Sequence, residues 1–249
     1  MDPVYRPVVG IGRALFFAEG LRFDIRGTEN IPRTGGAVLA INHTGYMDFT
    51  YAGLAARSSG RYVRFMAKES IWSNPVAGPL MRGMRHIPVD REAGAASFRA
   101  AIEALKAGEV VGVFPEATIS MSFELKEFKS GTVRMAQVAG VPVLPMTIWG
   151  SQRVWTKGRP KRLGRTGIPI FVTTGTPIAV GKGSAAAEKA NAELRAAMTA
   201  QLHEQQSRYP ELTGDELVYL PARLGGTAPT PEEALALETR TTRPDASST

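Results

Sequence analysis

The sequence predicts one α/β domain, a mostly parallel sheet flanked by helices, preceded by an N-terminal amphipathic helix and followed by a disordered C-terminal tail. Three observations lead there. Apolar runs such as Val38–Ile41, and the start of "EVVGVFPEATIS" up to Pro115, lack the alternation of a half-solvated strand, which is the pattern of strands covered on both faces. Helical stretches separate these runs, and strand–helix alternation marks a parallel sheet. The 249 residues are 43% hydrophobic and 21% charged, enough for a sizeable core, with no internal repeat and no strong domain break.

The elements follow in order. Val8, Ile11 and Leu15 share a helical stripe with Phe16 beside it, an apolar face that suits a bilayer surface or a docking position on the core equally. The apolar stretch Val8–Ala18 is interrupted by Gly10, Gly12 and Arg13 and falls short of the ~20 residues of a membrane span. "LRFDIRGTENIP" reads as a short strand and turn, Ala37–Ile41 as a buried strand, and Tyr46 onward as a helix. Arg61–Lys68 is a second strand; "IWSNPVAGPLMRGM" is a short helix or a loop; "RHIPVDR" is extended. Glu92–Ala107 is a helix stopped by Gly108, with Phe98, Ile102 and Leu105 on one face. "EVVGVFPEATIS" is a strand ending at Pro115, Thr132–Ala139 a helix, and "VPVLPMTIWG" and "IPIFVTTGTPI" two more strands. A long Ala-rich helix, Ser184–Ser207, carries Leu194, Met198 and Leu202 on one side. The expected division is a membrane-associating segment over 1–30, the α/β domain over 31–213, and a loose tail over 214–249.

Composition narrows the chemistry. There is no cysteine, which excludes disulfides, thiolate metal sites and a cysteine nucleophile. Three histidines without H-E-x-x-H spacing give no reason to expect a metal. No G-x-S-x-G elbow and no G-x-x-x-x-G-K or G-x-G-x-x-G loop appears. The net charge of +7 points to an anionic partner. In "SQRVWTKGRPKRLGRT" Arg153, Lys157, Arg159, Lys161, Arg162 and Arg165 crowd together, with Trp149 and Trp155 flanking or interleaving. Cations with interfacial tryptophans suit an anionic membrane surface. RNA is the weaker alternative, since no RNA-binding fingerprint accompanies them.

In parallel α/β sheets ligands gather at the carboxyl ends of strands. That rule selects His43, Arg91, and Glu116 with Thr118. In "AVLAINHTGYMDFTYAG" His43 and Asp48 are five residues apart, which on one continuous helix turns side chains about 140° from each other. They meet only if His43 ends the strand and Asp48 starts the helix, with Gly45 at the corner. Each residue also has a structural reading: His43 as a hydrogen-bonder, Asp48 as a helix cap, Glu116 as a turn residue, Arg91 as a partner of Asp90 or Glu92. His86 and His203 have no acidic partner at useful spacing and are read as structural.

"NHTGYMD", "IPVDR", "FPEATIS" and "VPVLPMTI", in that order, resemble the four motif blocks of the glycerolipid acyltransferase family, whose best-known members acylate lysophosphatidic acid. The resemblance covers roughly Ile31–Pro177. It implies that His43 is a general base for an acceptor hydroxyl and that Asp48 holds its imidazole. It implies that Arg91 helps bind an acceptor phosphate, that Glu116 and Thr118 shape the acceptor site, and that Lys68 and Lys129 stand near the phosphate. The co-substrate implied is acyl-CoA or acyl carrier protein, the acceptor a lysophospholipid, and no cofactor is expected. An anionic membrane is expected to be met through Ile11, Leu15, Phe16, Trp149, Trp155, Arg159, Lys161 and Arg162, with the protein peripheral on the cytoplasmic face of the plasma membrane and no nucleic acid bound. The third block departs from the usual E-G-T-R, because Ala117 and Ile119 replace its glycine and arginine. Another lysophospholipid, a glycolipid, or a non-catalytic lipid-binding role on the same scaffold are the alternatives this opens.

Overall fold

A computed structural model describes residues 3–90 and 94–242, with side chains described through residue 239. Its elements are α1 Tyr5–Ala18, β1 Arg22–Arg26, β2 Ala37–Ile41, α2 Asp48–Ser58, β3 Val63–Lys68, α3 Ala77–Gly83, β4 Ile87–Val89, α4 Gly94–Lys106, β5 Val110–Val113, α5 Gly131–Ala139, β6 Val143–Trp149, β7 Pro169–Thr174, α6 Ser184–Arg208 and α7 Pro231–Thr242.

The strands form a seven-stranded sheet in the order β1-β7-β6-β2-β5-β3-β4. From β6 to β4 every pairing is parallel. β7 runs antiparallel to β6 and carries β1 parallel beside it. Strand β2 sits between β5 and β6, and every residue from Ala37 to Ile41 is fully buried. Burying a side chain such as Leu39 is worth about 2 kcal/mol, which is why this strand shows no polar alternation. One apolar layer joins Leu39 and Ile41 to Tyr51, Leu144 and Ile148; the opposite layer joins Val38 and Ala40 to Leu105, Val133, Leu194 and Met198. Both faces are thus covered by helices.

Several expectations are corrected by packing. β1 is an edge strand of the main sheet, so residues 22–26 are built into the domain rather than appended to it. Phe16 turns inward, its ring against Phe23 and Tyr51, and cannot touch a membrane. Ile11 and Leu15 do face outward, joined by Phe17. Trp149, expected at an interface, is 1% exposed and packs with Leu202, Tyr209 and Tyr219. Residues 214–242, expected to be loose, fold back: Tyr219, Ala228 and Ala234 are buried, and Glu216 pairs with Arg153 at 2.8 Å and Arg162 at 2.7 Å. Residues 243–249 of the expected tail lie outside the described residues.

Candidate active site

Strand β2 ends at Ile41, and Asn42 fixes how the chain leaves it. The Asn42 side chain donates to the Ile148 carbonyl at 3.0 Å and accepts from its N–H at 2.7 Å, copying a strand pair with β6. The next residue, His43, therefore stands on the carboxyl rim of the sheet between β5 and β6. Its backbone is fixed twice over: its N–H donates to Glu116 Oε1 at 2.9 Å, and its carbonyl accepts from Ser120 N–H at 2.8 Å.

The chain then doubles back. Gly45 lies so close to Ser151 that a Cβ there would fall 2.4 Å from Ser151 Oγ and 2.9 Å from its carbonyl oxygen. Only glycine allows that approach. The turn brings Asp48, the first residue of α2, against the histidine: Asp48 Oδ2 lies 2.9 Å from His43 Nδ1. The same oxygen accepts from the Thr44 and Gly45 N–H groups, each at 2.8 Å. Three donors on one fully buried oxygen call for a carboxylate, and the positive end of α2 adds to that preference. With Nδ1–H donating to Asp48, the tautomer leaves a lone pair on Nε2. Among the described residues Nε2 has no hydrogen-bond partner, and the side chain is 19% exposed. Phe114 stacks on the other side of the ring at 4.1 Å, which fixes its plane.

Glu116 binds two loops together. It accepts from His43 N–H through one oxygen and from Lys126 N–H through the other, at 3.0 Å. Burial pushes its carboxyl up to about 7, although both hydrogen bonds pull the other way. The folded chain therefore holds a proton on Glu116 up to about pH 7, whereas a free glutamate sheds it near 4.5. The folded state binds more protons inside that window, so this group's contribution to stability declines as pH rises through it. Glu116→Gln should remove that decline, giving a flatter denaturation free energy between about pH 4.5 and 7 than the unaltered chain shows. Parallel pH profiles for the two proteins would show that Glu116 titrates normally.

Ala117 has φ 63°, a left-handed conformation that costs an L-residue roughly 1 kcal/mol. The glycine usual in this block fits the backbone better. Ala117→Gly is expected to raise stability by about 1 kcal/mol, read as a higher denaturation midpoint; a lower midpoint would show that no strain is present. Ile119 is buried, so no charged group sits at that position of the block.

The remaining expected residues divide. Thr118 follows Glu116 by two residues, its Oγ1 accepting from Lys126 Nζ at 2.7 Å. Lys129 is exposed, and its N–H holds the Pro115 carbonyl at 2.9 Å, close to the block but with its side chain in solvent. Lys68 is exposed at the end of β3, two strands away from β2. Arg91 lies outside the described residues. Trp155 does reach the rim, its ring 4.7 Å from Tyr46 and its outer face under Lys161 at 4.2 Å. Arg162 is engaged by Glu216, so part of the basic cluster is internally neutralised, while Lys161 and Arg165 are exposed and Arg159 is half-buried. Asn42, Phe114 and Lys126 also hold the site together, beyond the residues the sequence selects. The first two lie inside motif blocks and were legible there; nothing in the order of residues marked Lys126. His86 is structural, as expected: Nδ1 accepts from Phe65 N–H at 3.1 Å, and burial lowers its imidazole to about 4.

Comparison with known proteins bears on this arrangement. The family model described as acyltransferase matches residues 22–149. A 1-acyl-sn-glycerol-3-phosphate acyltransferase of Bacillus subtilis is 32% identical over 137 residues, covering 53% of this chain and 67% of the relative. A chloroplastic 1-acyl-sn-glycerol-3-phosphate acyltransferase of Brassica napus is 31% identical over 153 residues, 60% of this chain but only 43% of the relative. The crystal structure of the 1-acyl-sn-glycerophosphate acyltransferase PlsC from Thermotoga maritima superposes with a TM-score of 0.66 at 26% identity, covering 80% of this chain and 78% of that one.

Proposed function

This chain belongs to the acyltransferase family, and on that premise we propose that it moves a fatty acyl group from a thioester, acyl-CoA or acyl carrier protein, to the free hydroxyl of lysophosphatidic acid, forming phosphatidic acid. The observation that carries the reading is the His43–Asp48 pair: Nδ1 on a buried carboxylate at 2.9 Å, Nε2 unengaged at the carboxyl rim of a parallel sheet.

In this mechanism Nε2 of His43 takes the proton of the acceptor hydroxyl as its oxygen attacks the thioester carbonyl carbon. The tetrahedral intermediate collapses with cleavage of the C–S bond, and the imidazolium returns the proton to the departing thiolate. A thioester already carries a good leaving group, so the acyl group needs no stop on the protein. Asp48 fixes the tautomer and stabilises the imidazolium, the role a carboxylate plays in a serine-hydrolase triad, with the substrate hydroxyl replacing the serine. General-base assistance of this kind is worth roughly 10² to 10⁴ in rate. No further cofactor is required by these steps.

The substrate in this reading is a lipid and the proposed position is peripheral, on the cytoplasmic face of the plasma membrane; what the exposed residues support is contact with a lipid surface. Among the described residues no helix is long and apolar enough to cross a membrane. Ile11, Leu15 and Phe17 are exposed on α1, and Tyr46 and Phe49 are exposed beside the His43–Asp48 turn. Lys161 on Trp155 adds a cation at the same rim. The test is a screen of purified protein with oleoyl-CoA against a panel of lysolipids, read by mass spectrometry. Phosphatidic acid from lysophosphatidic acid is the expected product. Liposome binding with no acylated product from any acceptor would leave a lipid-binding role instead, the reading that Ala117 and Ile119 favour.

A further inference from the structure

We infer that Lys126 is the residue that recognises the anionic headgroup of the acceptor, and that Glu238 of α7 occupies its place until the lipid arrives. The inference deepens the proposed function and rests on it.

Three observations carry it. First, Glu116 accepts from His43 N–H with one oxygen and Lys126 N–H with the other, so one carboxylate's width separates the two backbones. The backbone of Lys126 is thereby held close to that of the histidine by a buried group. Second, its ammonium rests on Thr118 Oγ1 at 2.7 Å and on Glu238 Oε2 at 2.5 Å, a hydroxyl and an anionic oxygen converging on one cation. Glu238 comes from the last helix of the fold, 112 residues away in sequence. The carboxylate makes with this ammonium the kind of contact that an oxygen of a phosphate monoester makes. Third, position 119 holds a buried isoleucine and the side chains of Lys68 and Lys129 are exposed, whereas the Lys126 ammonium is held on Thr118, two residues from Glu116.

The exchange is physically reasonable. Lys126 and Glu238 keep 24% and 17% of their side-chain surface, and partly exposed ion pairs are held weakly. A phosphate dianion offers more charge and more acceptor oxygens than one carboxylate, and charge-assisted bonds to it are the stronger kind. Displacing Glu238 requires α7 to move or the side chain to turn. The acceptor thus competes with a group of the protein's own for the same ammonium.

The experiment measures binding of lysophosphatidic acid and of uncharged monoacylglycerol, each in detergent micelles, to the full chain and to Lys126→Met, Lys126→Arg and Glu238→Gln. The backbone bond from residue 126 to Glu116 survives all three substitutions. Lys126→Met is expected to weaken lysophosphatidic acid at least tenfold and leave monoacylglycerol unchanged, and Lys126→Arg to restore most of the loss. Glu238→Gln is expected to tighten lysophosphatidic acid severalfold. Equal affinity of the Met variant and the unaltered chain for lysophosphatidic acid would overturn the inference, as would an equal loss for both lipids. Parallel assays of acyl transfer from oleoyl-CoA report separately on the reaction: turnover without a Lys126 effect on binding sinks only the recognition role, and a Lys126 effect without turnover sinks only the transferase reading.

Discussion

His43→Ala is expected to lower acyl transfer by at least 10² to 10⁴, with acceptor binding and the denaturation midpoint close to those of the unaltered chain. The reason lies in what the imidazole does and does not hold. Its ring makes one hydrogen bond among the described residues, from Nδ1 to Asp48, whose oxygen keeps the Thr44 and Gly45 N–H donors when the ring is lost. The bonds that position the loop at this residue are made by its backbone N–H and carbonyl, which alanine keeps. Loss of the ring therefore removes the base and little of the scaffold. Steady-state rates beside binding isotherms would check it. Retained turnover would mean that another group accepts the proton, whereas a large fall in stability would give the histidine a structural role.

Asp48 should behave differently, because its carboxylate serves both the reaction and the fold. Asp48→Asn keeps the shape but offers an amide where three donors converge, so the imidazole loses its partner or its tautomer. Transfer should fall by roughly 10³ or more, in the range such substitutions produce in catalytic triads. Asp48→Ala should, in addition, lose about 2–5 kcal/mol of stability. The Thr44 and Gly45 N–H groups, both now bound at 2.8 Å, would be buried without an acceptor. Comparing the two variants separates the roles: equal, small stability losses in both would show that water or another oxygen replaces the carboxylate.

Much of the fold and part of the site are legible in the sequence because they rest on local chemistry. Parallel strands covered on both faces must be apolar throughout, so β2 and β5 announce themselves. His43 and Asp48 are readable because a strand end, a glycine corner and a helix start lie within a few residues. What was not legible depends on partners far along the chain. The antiparallel reversal of β7, which closes the sheet with β1, follows from pairing Thr173 with Thr147 and Arg26, not from a local pattern. Trp149 looks interfacial until Leu202, Tyr209 and Tyr219 cover it. Arg153 and Arg162 look like free cations until Glu216 arrives from the C-terminal segment. Lys126 acquires meaning only when Glu116 and Glu238 close around it. Ala117 belongs to a different class: its backbone strain is invisible without φ, although the glycine of the resembling motif pointed to it.

The most direct measurement is a single-turnover reaction of the full chain with acyl-labelled oleoyl-CoA, with and without lysophosphatidic acid, following free CoA and the position of the label. Direct transfer assisted by His43 predicts CoA release only when the acceptor is present, with the label in phosphatidic acid and none on the protein. Label bound covalently to the chain, or CoA released just as fast with water as the sole acceptor, would contradict it.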